Sequence, residues 1–123
     1  MSTILIVEDN DKNMKLARDI LKAKGYATLE AETGEEGVKL AKEKVPDLVL
    51  MDIQLPGING IEAFRQIRAD AKTARIPVVA LTASVTPTDR SEISAAGFDA
   101  FIGKPISLKE FVETVKRLIE GKK

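Results

Sequence analysis

A chain of 123 residues suffices for one domain with its own hydrophobic core and leaves no room for a second of ordinary size. Hydrophobic residues make up 44% and charged residues 31%, a globular balance that excludes disorder, and 19 basic side chains offset 19 acidic ones, so no net field draws the chain to nucleic acid or an anionic membrane. With no Cys and no His, disulfides, thiol catalysis and thiolate metal sites are excluded, the usual general base is missing, and any metal must be held by oxygen, as suits Mg²⁺, Mn²⁺ or Ca²⁺.

Met1-Ser2-Thr3 leads straight into a predicted strand, Ile4-Leu5-Ile6-Val7, without the basic and apolar regions of a signal peptide. No apolar run approaches the roughly 20 residues of a membrane-spanning helix. A cytoplasmic protein without a membrane partner is expected. Helix-spaced Met14, Ala17, Ile20 and Leu21 follow, ending at Gly25, and Tyr26 to Ala31 reads as a weaker, more polar strand at an edge. Thr33 with Glu36 is a capping-box pair opening a helix through Val38, Leu40 and Ala41 to Lys44. After Pro46, the run Leu48-Val49-Leu50-Met51 reads as a buried parallel strand closed by Asp52, and Ile53 to Gly60 is turn chemistry.

In the second half, Ile61, Phe64 and Ile67 mark a helix that fades near Asp70 to Thr73. Ile76 to Leu81 is a strand that tolerates Pro77 near its start. Thr86-Pro87 suits a helix N-cap and first position, and Gly97 suits its stop. Ala100-Phe101-Ile102 is a short strand. Ser107 with Glu110 is a second capping box, ahead of an amphipathic helix carrying Leu108, Phe111, Val112, Val115, Leu118 and Ile119. Gly121-Lys122-Lys123 is a frayed tail. No linker, repeat or low-complexity segment divides residues 1–123, so one domain without an effector domain is expected.

Five βα units with nearly continuous apolar strands imply an α/β sandwich, a doubly wound parallel sheet with helices on both faces. The common flavodoxin-like solution has strand order 2-1-3-4-5 and makes strands 1 and 3 neighbours, bringing Glu8 and Asp9 beside Asp52. Three carboxylates in one small cleft raise one another's pKa unless a cation balances them, and Mg²⁺ is suited to that task. Thr82 ends the fourth strand and Lys104 follows the fifth, so a hydroxyl and an ammonium emerge on the same rim. Together with a metal they can neutralise and orient a transferring phosphoryl group, with Asp52 as the nucleophile that forms an aspartyl phosphate.

Each residue also has a plainer reading. Asp9-Asn10-Asp11 can cap the first helix, Asp52 can initiate the turn before Pro56-Gly57, Thr82 can be a strand residue and Lys104 a solvated loop residue. Pro105 can simply break the chain before the last helix, although Lys104-Pro105 is also a candidate cis peptide. What weighs against these readings is that all five groups fall at carboxyl ends of predicted strands.

Val7-Glu8-Asp9, Met51-Asp52 with Pro56 and Gly60 downstream, Leu81-Thr82-Ala83 and Lys104-Pro105 run in that order over essentially the whole chain. They resemble the receiver domain of bacterial two-component response regulators, the CheY-like superfamily. The resemblance implies that Asp52 is the phospho-acceptor, Glu8 and Asp9 are the acidic pair, and the Gln54 main-chain carbonyl is a further Mg²⁺ ligand, with Mn²⁺ able to substitute. It implies that Thr82 contacts the phosphoryl group and Lys104 pairs with one of its oxygens. Phe101 falls at the family's aromatic switch position, where Phe keeps the in/out rotation but lacks a hydroxyl. Gln54 and Ser84 flank the approach of a hydrolytic water and are expected to tune autodephosphorylation.

Receivers draw phosphate from a phosphohistidine, which a chain without His cannot supply. The implied donor is a histidine kinase or histidine phosphotransfer protein in trans. With no effector domain, the implied output is contact with a downstream protein through the last two helices and the strand between them, roughly Pro87 to Ile119. A monomer is expected, which phosphorylation could pair into a dimer. The blocks Asn13-Met14-Lys15-Leu16, Asp52-Ile53-Gln54-Leu55-Pro56 and Lys104-Pro105-Ile106-Ser107 are similar to the DivK type, which controls cell division and polarity, and receivers of hybrid kinases share much of this pattern.

Three other readings compete. A haloacid-dehalogenase-type phosphatase also forms an aspartyl phosphate with Mg²⁺, but the second Asp is replaced by Gln54 after Asp52, no Thr follows Asp9-Asn10-Asp11 in register, and no cap insertion encloses a substrate. A flavodoxin-like or dinucleotide-binding module would need a phosphate loop where Glu8-Asp9-Asn10 stands. A receiver fragment of a longer regulator or hybrid kinase fits the same motifs. The expected protein is a signalling phospho-acceptor and not an enzyme beyond self-phosphotransfer and autodephosphorylation.

Overall fold

A computed structural model describes residues 2–55, 57–82, 87–104 and 106–121. The described strands are β1 (Thr3–Val7), β2 (Ala27–Ala31), β3 (Leu48–Asp52), β4 (Val78–Thr82) and β5 (Ala100–Gly103). The helices are α1 (Asp11–Ala23), α2 (Gly34–Lys44), α3 (Gly60–Ala69), α4 (Pro87–Ala96) and α5 (Leu108–Gly121). All strand pairings are parallel and the order is β2-β1-β3-β4-β5, the flavodoxin-like solution expected from the alternation. As expected, β2 is an edge and only its last residue, Ala31, is buried.

Two-residue alternation divides the apolar runs between two cores. Ile4, Ile6, Leu48, Leu50, Val79, Leu81 and Ile102 face Met14 and Leu21 of α1 and Phe111 and Val115 of α5. Leu5, Val7, Val49, Met51 and Val78 face Val38 and Ala41 of α2 and Phe64 and Ile67 of α3. Every residue of β3 and β4 is buried, which is why these strands read as unbroken apolar runs.

Helix starts follow side-chain capping. Asn10 Oδ1 accepts from the Asn13 N–H (3.0 Å) and Thr33 Oγ1 from the Glu36 N–H (3.1 Å). The Glu36 carboxylate reaches back to the Glu32 N–H (3.3 Å), one residue beyond the group a capping box would serve. The turn predicted to Gly60 ends one residue earlier, because Asn59 Oδ1 caps α3 through the Glu62 N–H (2.9 Å). The fourth strand begins at Val78, not Ile76, with Pro77 just before it and its carbonyl accepting the Val49 N–H. Gly97 adopts φ +97°, as its stop role requires. Thr86 lies outside the described residues. Among those described, no helix is long and apolar enough to cross a membrane.

Candidate functional site

The register carries the predicted residues to one rim. Ile6 pairs with Leu50 and Val7 with Met51, so Glu8 and Asp52 continue adjacent strands at their carboxyl ends. Both belong by alternation to the face carrying α1 and α5, and both are almost fully buried, at 1% and 3% exposure. Asp9 is exposed beside them. Carboxylate oxygens from Glu8, Asp9 and Asp52 all lie within 4.8 Å of one another, close enough to share one cation. Asn10 performs the capping that Asp9 might otherwise have taken, which leaves Asp9 to the cleft.

Lys104 enters from the far end of the chain. Its backbone N–H donates to the Thr82 carbonyl (2.8 Å), extending the β4–β5 pairing by one residue and aiming the side chain across the rim. Nζ lies 2.7 Å from Glu8 Oε1 and 3.0 Å from Asp52 Oδ2. The other Asp52 oxygen, Oδ1, accepts the Gln54 N–H at 3.0 Å. The Gln54 side chain is exposed. Asp52 is therefore gripped on both oxygens, by an amide and by an ammonium.

Glu8 is the unsettled member. Its Oε2 is buried without a hydrogen-bond partner among the described residues. Burial, together with the Asp52 carboxylate at hydrogen-bonding range, pushes Glu8 up to about 7 against the pull of Lys104. Burial also works against the charge on Lys104, but its hydrogen bonds to Glu8 and Asp52 outweigh that and raise its pKa above the ordinary lysine value. One ammonium thus serves two buried carboxylates and leaves one Glu8 oxygen without a hydrogen-bond partner among the described residues. This donor set fits a small divalent cation, which needs oxygen ligands and would relieve both the orphaned oxygen and the crowded charge.

Thr82 is buried at the same rim, paired in register with Gly103. Alternation puts it on the opposite face from Asp52, together with Phe101, which pairs with Ala80 and is 38% exposed. The expected hydroxyl and aromatic therefore share the face to which the end of α4 contributes Ala96. Ser84 and Pro105, and with Pro105 the candidate cis peptide, lie outside the described residues.

Sequence reasoning passed over the loop support. Gly60 opens α3 so close to β3 that a side-chain carbon there would collide with the Asp52 carbonyl oxygen and stand 2.8 Å from Ile53 Cα. The Gly60 N–H donates to the Ile53 carbonyl (3.0 Å). The signal was Asn59-Gly60 immediately before a helix-spaced apolar series, a cap followed by a close approach.

Comparison with known proteins agrees with this arrangement. The family model for the response regulator receiver domain matches residues 4–116. The polar-differentiation response regulator DivK of Brucella ovis is 46% identical over 114 residues, covering 93% of each chain. Among solved structures, the receiver domain of a sensor histidine kinase from Pseudomonas aeruginosa, with a magnesium ion coordinated in its active-site cleft, is 34% identical with a TM-score of 0.91, covering 97% of this chain and 98% of that one. The receiver domain of a histidine kinase from Syntrophus aciditrophicus is 32% identical with a TM-score of 0.91, covering 98% and 92%. With that family model spanning residues 4–116 and a relative 46% identical over 93% of the chain, the chain belongs to the response regulator receiver domain family.

Proposed function

We propose that the chain is a single-domain response regulator that accepts a phosphoryl group on Asp52 and signals by protein-protein contact. The observation that carries this reading is the grip on Asp52, with the Gln54 N–H on Oδ1 and Lys104 Nζ 3.0 Å from Oδ2. An Asp52 oxygen attacks the phosphorus of a phosphohistidine presented by a histidine kinase or phosphotransfer protein. The P–N bond breaks as the P–O bond forms, the electron pair goes to the departing imidazole nitrogen, and that nitrogen takes a proton from solvent. Lys104 exchanges Asp52 for a phosphoryl oxygen, and Thr82 approaches another. Mg²⁺, held by Glu8, Asp9, Asp52 and the Gln54 carbonyl, would supply the charge that lets carboxylates and phosphoryl oxygens share the cleft. Mn²⁺ would serve equally.

Phosphorylation draws Thr82 toward the site, Phe101 turns inward on the same face, and the population of the α4–β5–α5 surface shifts toward a form that binds a downstream protein. The placement of Thr82 and Phe101 on one face supports this coupling. Gln54, exposed beside the acceptor, and Ser84 tune the lifetime of the phosphoryl group. The single-domain reading over residues 1–123 is supported by the 93% coverage of the Brucella DivK chain, and a monomer in the bacterial cytoplasm is the setting it implies. A role in polar differentiation would follow from the same likeness. The similarity to receiver domains of two histidine kinases favours, as second reading, a receiver that belongs to a hybrid kinase.

Incubation with acetyl phosphate and Mg²⁺ should label the protein, and Asp52→Asn should take up no phosphate and show no Mg²⁺-dependent response to beryllofluoride. Labelling of that variant would remove Asp52 as acceptor. Phosphotransfer profiling against purified histidine kinases and phosphotransfer proteins separates the two readings, because a hybrid-kinase receiver passes its phosphate on to a phosphotransfer protein.

A further inference from the structure

The first turn of α2 touches neither Asp52 nor Lys104 in any hydrogen bond or ion pair described, yet it is pressed against the loop that joins β3 to α3. A side-chain carbon added at Gly34 would stand 2.7 Å from Ile58 Cγ1 and 2.8 Å from the Ile58 carbonyl oxygen. Real side-chain carbons do not approach so closely, and one of the two obstacles is backbone. The next residue repeats the contact from the other side. A side-chain carbon at Gly57, whose φ is +75°, would meet the Glu35 carboxylate oxygens at 2.7 and 2.8 Å. Gly37, one turn on, lies equally close to Val7 of β1 (2.7 Å to Cγ2), so α2 is seated against the sheet and cannot retreat cheaply.

The loop is held from below as well. Gly60 sits against the Asp52 carbonyl, and the Gly60 and Ile53 backbones are hydrogen-bonded at 3.0 Å. Between these two supports lies Gln54, whose N–H fixes Asp52 Oδ1. We infer that Gly34 is a positioning residue for the acceptor site: the side-chain-free contact of α2 with Ile58 sets the position of residues 58–60, and the Gly60 N–H passes it to the Ile53 carbonyl, in the same peptide as the Gln54 N–H that holds Asp52. Gly34 touches neither phosphate nor metal and acts only through Ile58. The inference rests on the proposed cation site for one of its two readouts and is independent of it for the other.

In Gly34→Ala the new methyl group must displace Ile58, and the loop rises with it. In metal-free protein, the Ile53 and Gln54 amide resonances should shift, while those of Lys116 and Gly121 on α5 stay in place. With metal, the Mg²⁺ dissociation constant should rise about tenfold, the size of effect common one layer out from a metal ligand. Gly34→Ala/Ile58→Ala removes the Cγ1 and Cδ1 obstacles but leaves the Ile58 carbonyl, so its affinity should fall between those of Gly34→Ala and Ile58→Ala, a partial rescue that general loss of packing would not produce. Unmoved Ile53 and Gln54 amides in Gly34→Ala would overturn the inference, as would a double variant that binds Mg²⁺ no better than Gly34→Ala. If those amides move but the unsubstituted protein binds no Mg²⁺, the positioning role stands and the cation site falls.

Discussion

At the amino ends of β4 and β5, Asp99 Oδ2 accepts from Arg68 Nη2 (2.6 Å) and from the Val78 N–H (2.8 Å), while Arg68 Nη1 donates to the Ile76 carbonyl (2.5 Å). The guanidinium also lies 4.7 Å above the Phe64 ring, which stacks on Phe98 at 4.1 Å. At the carboxyl ends of the same sheet, Lys104 stands between Glu8 and Asp52 and leaves Glu8 Oε2 unsatisfied among the described residues. Both clusters tie separate elements together with one cation. The lower one has a single carboxylate and sits at the solvent edge. The upper one has two carboxylates on its ammonium, is buried, and has one oxygen too many. A complete network of this kind fastens the fold, whereas an incomplete one stores charge that a ligand can relieve.

Removing the lower fastener should give the largest change in stability. Asp99→Ala strands both Arg68 and the Val78 N–H and should cost about 2 kcal/mol, read from urea unfolding, with Mg²⁺ affinity unchanged. A loss below about 0.5 kcal/mol would mean that the lower cluster is a surface pair and the contrast is false.

Next comes pH. Folded protein keeps a proton on Glu8 up to about 7, against an ordinary value of 4.5. A cation must displace that proton, so Mg²⁺ affinity should fall about tenfold per pH unit well below 7 and level off above it. The same raised pKa makes this group's contribution to metal-free stability full below 4.5 and lost as pH climbs to about 7. Calorimetric titration between pH 5.5 and 8 checks the first sign, and urea unfolding over the same range checks the second. A flat affinity profile would mean that Glu8 neither holds the proton nor meets the metal.

The smallest effect has the opposite sign to the first. Neutralising the upper carboxylate in Asp52→Asn relieves the crowding against Glu8, and at pH 8 the metal-free variant should be about 1 kcal/mol more stable than the parent protein. If Asp52→Asn destabilises as Asp99→Ala does, the upper cluster is a fastener too, and its reading as a stored imbalance fails.

Much of this was legible in the chain. Ile4 to Val7 and Leu48 to Met51 are unbroken apolar runs because parallel strands are covered on both faces, and the positions of Glu8, Asp52, Thr82 and Lys104 at strand ends follow from strand length alone. The strand order came from fold rules, and it sufficed to make Glu8 and Asp52 neighbours. What stayed hidden is what depends on distances between remote segments. Nothing in the string indicates that Lys104 prefers Glu8 and Asp52 to solvent, or that burial lifts the Glu8 pKa. Gly34 reads as an ordinary residue after a cap until Ile58 is seen against it. Likewise Val45, between the predicted helix end at Lys44 and Pro46, caps α2 with φ +44°, a left-handed conformation that sequence rules reserve for Gly or Asn.

The bond from Lys104 to Glu8 spans 96 positions of sequence, joining the first strand of the sheet to the residue after the last. Asp52 has its acidic neighbours as soon as β1 and β3 pair, but its ammonium arrives only when β5 has docked on β4. Any form in which β5 has not docked on β4 therefore carries Asp52 without the Lys104 ammonium beside it. The cleft is whole only when the first and last strands are both in the sheet, so its charge balance depends on the complete fold.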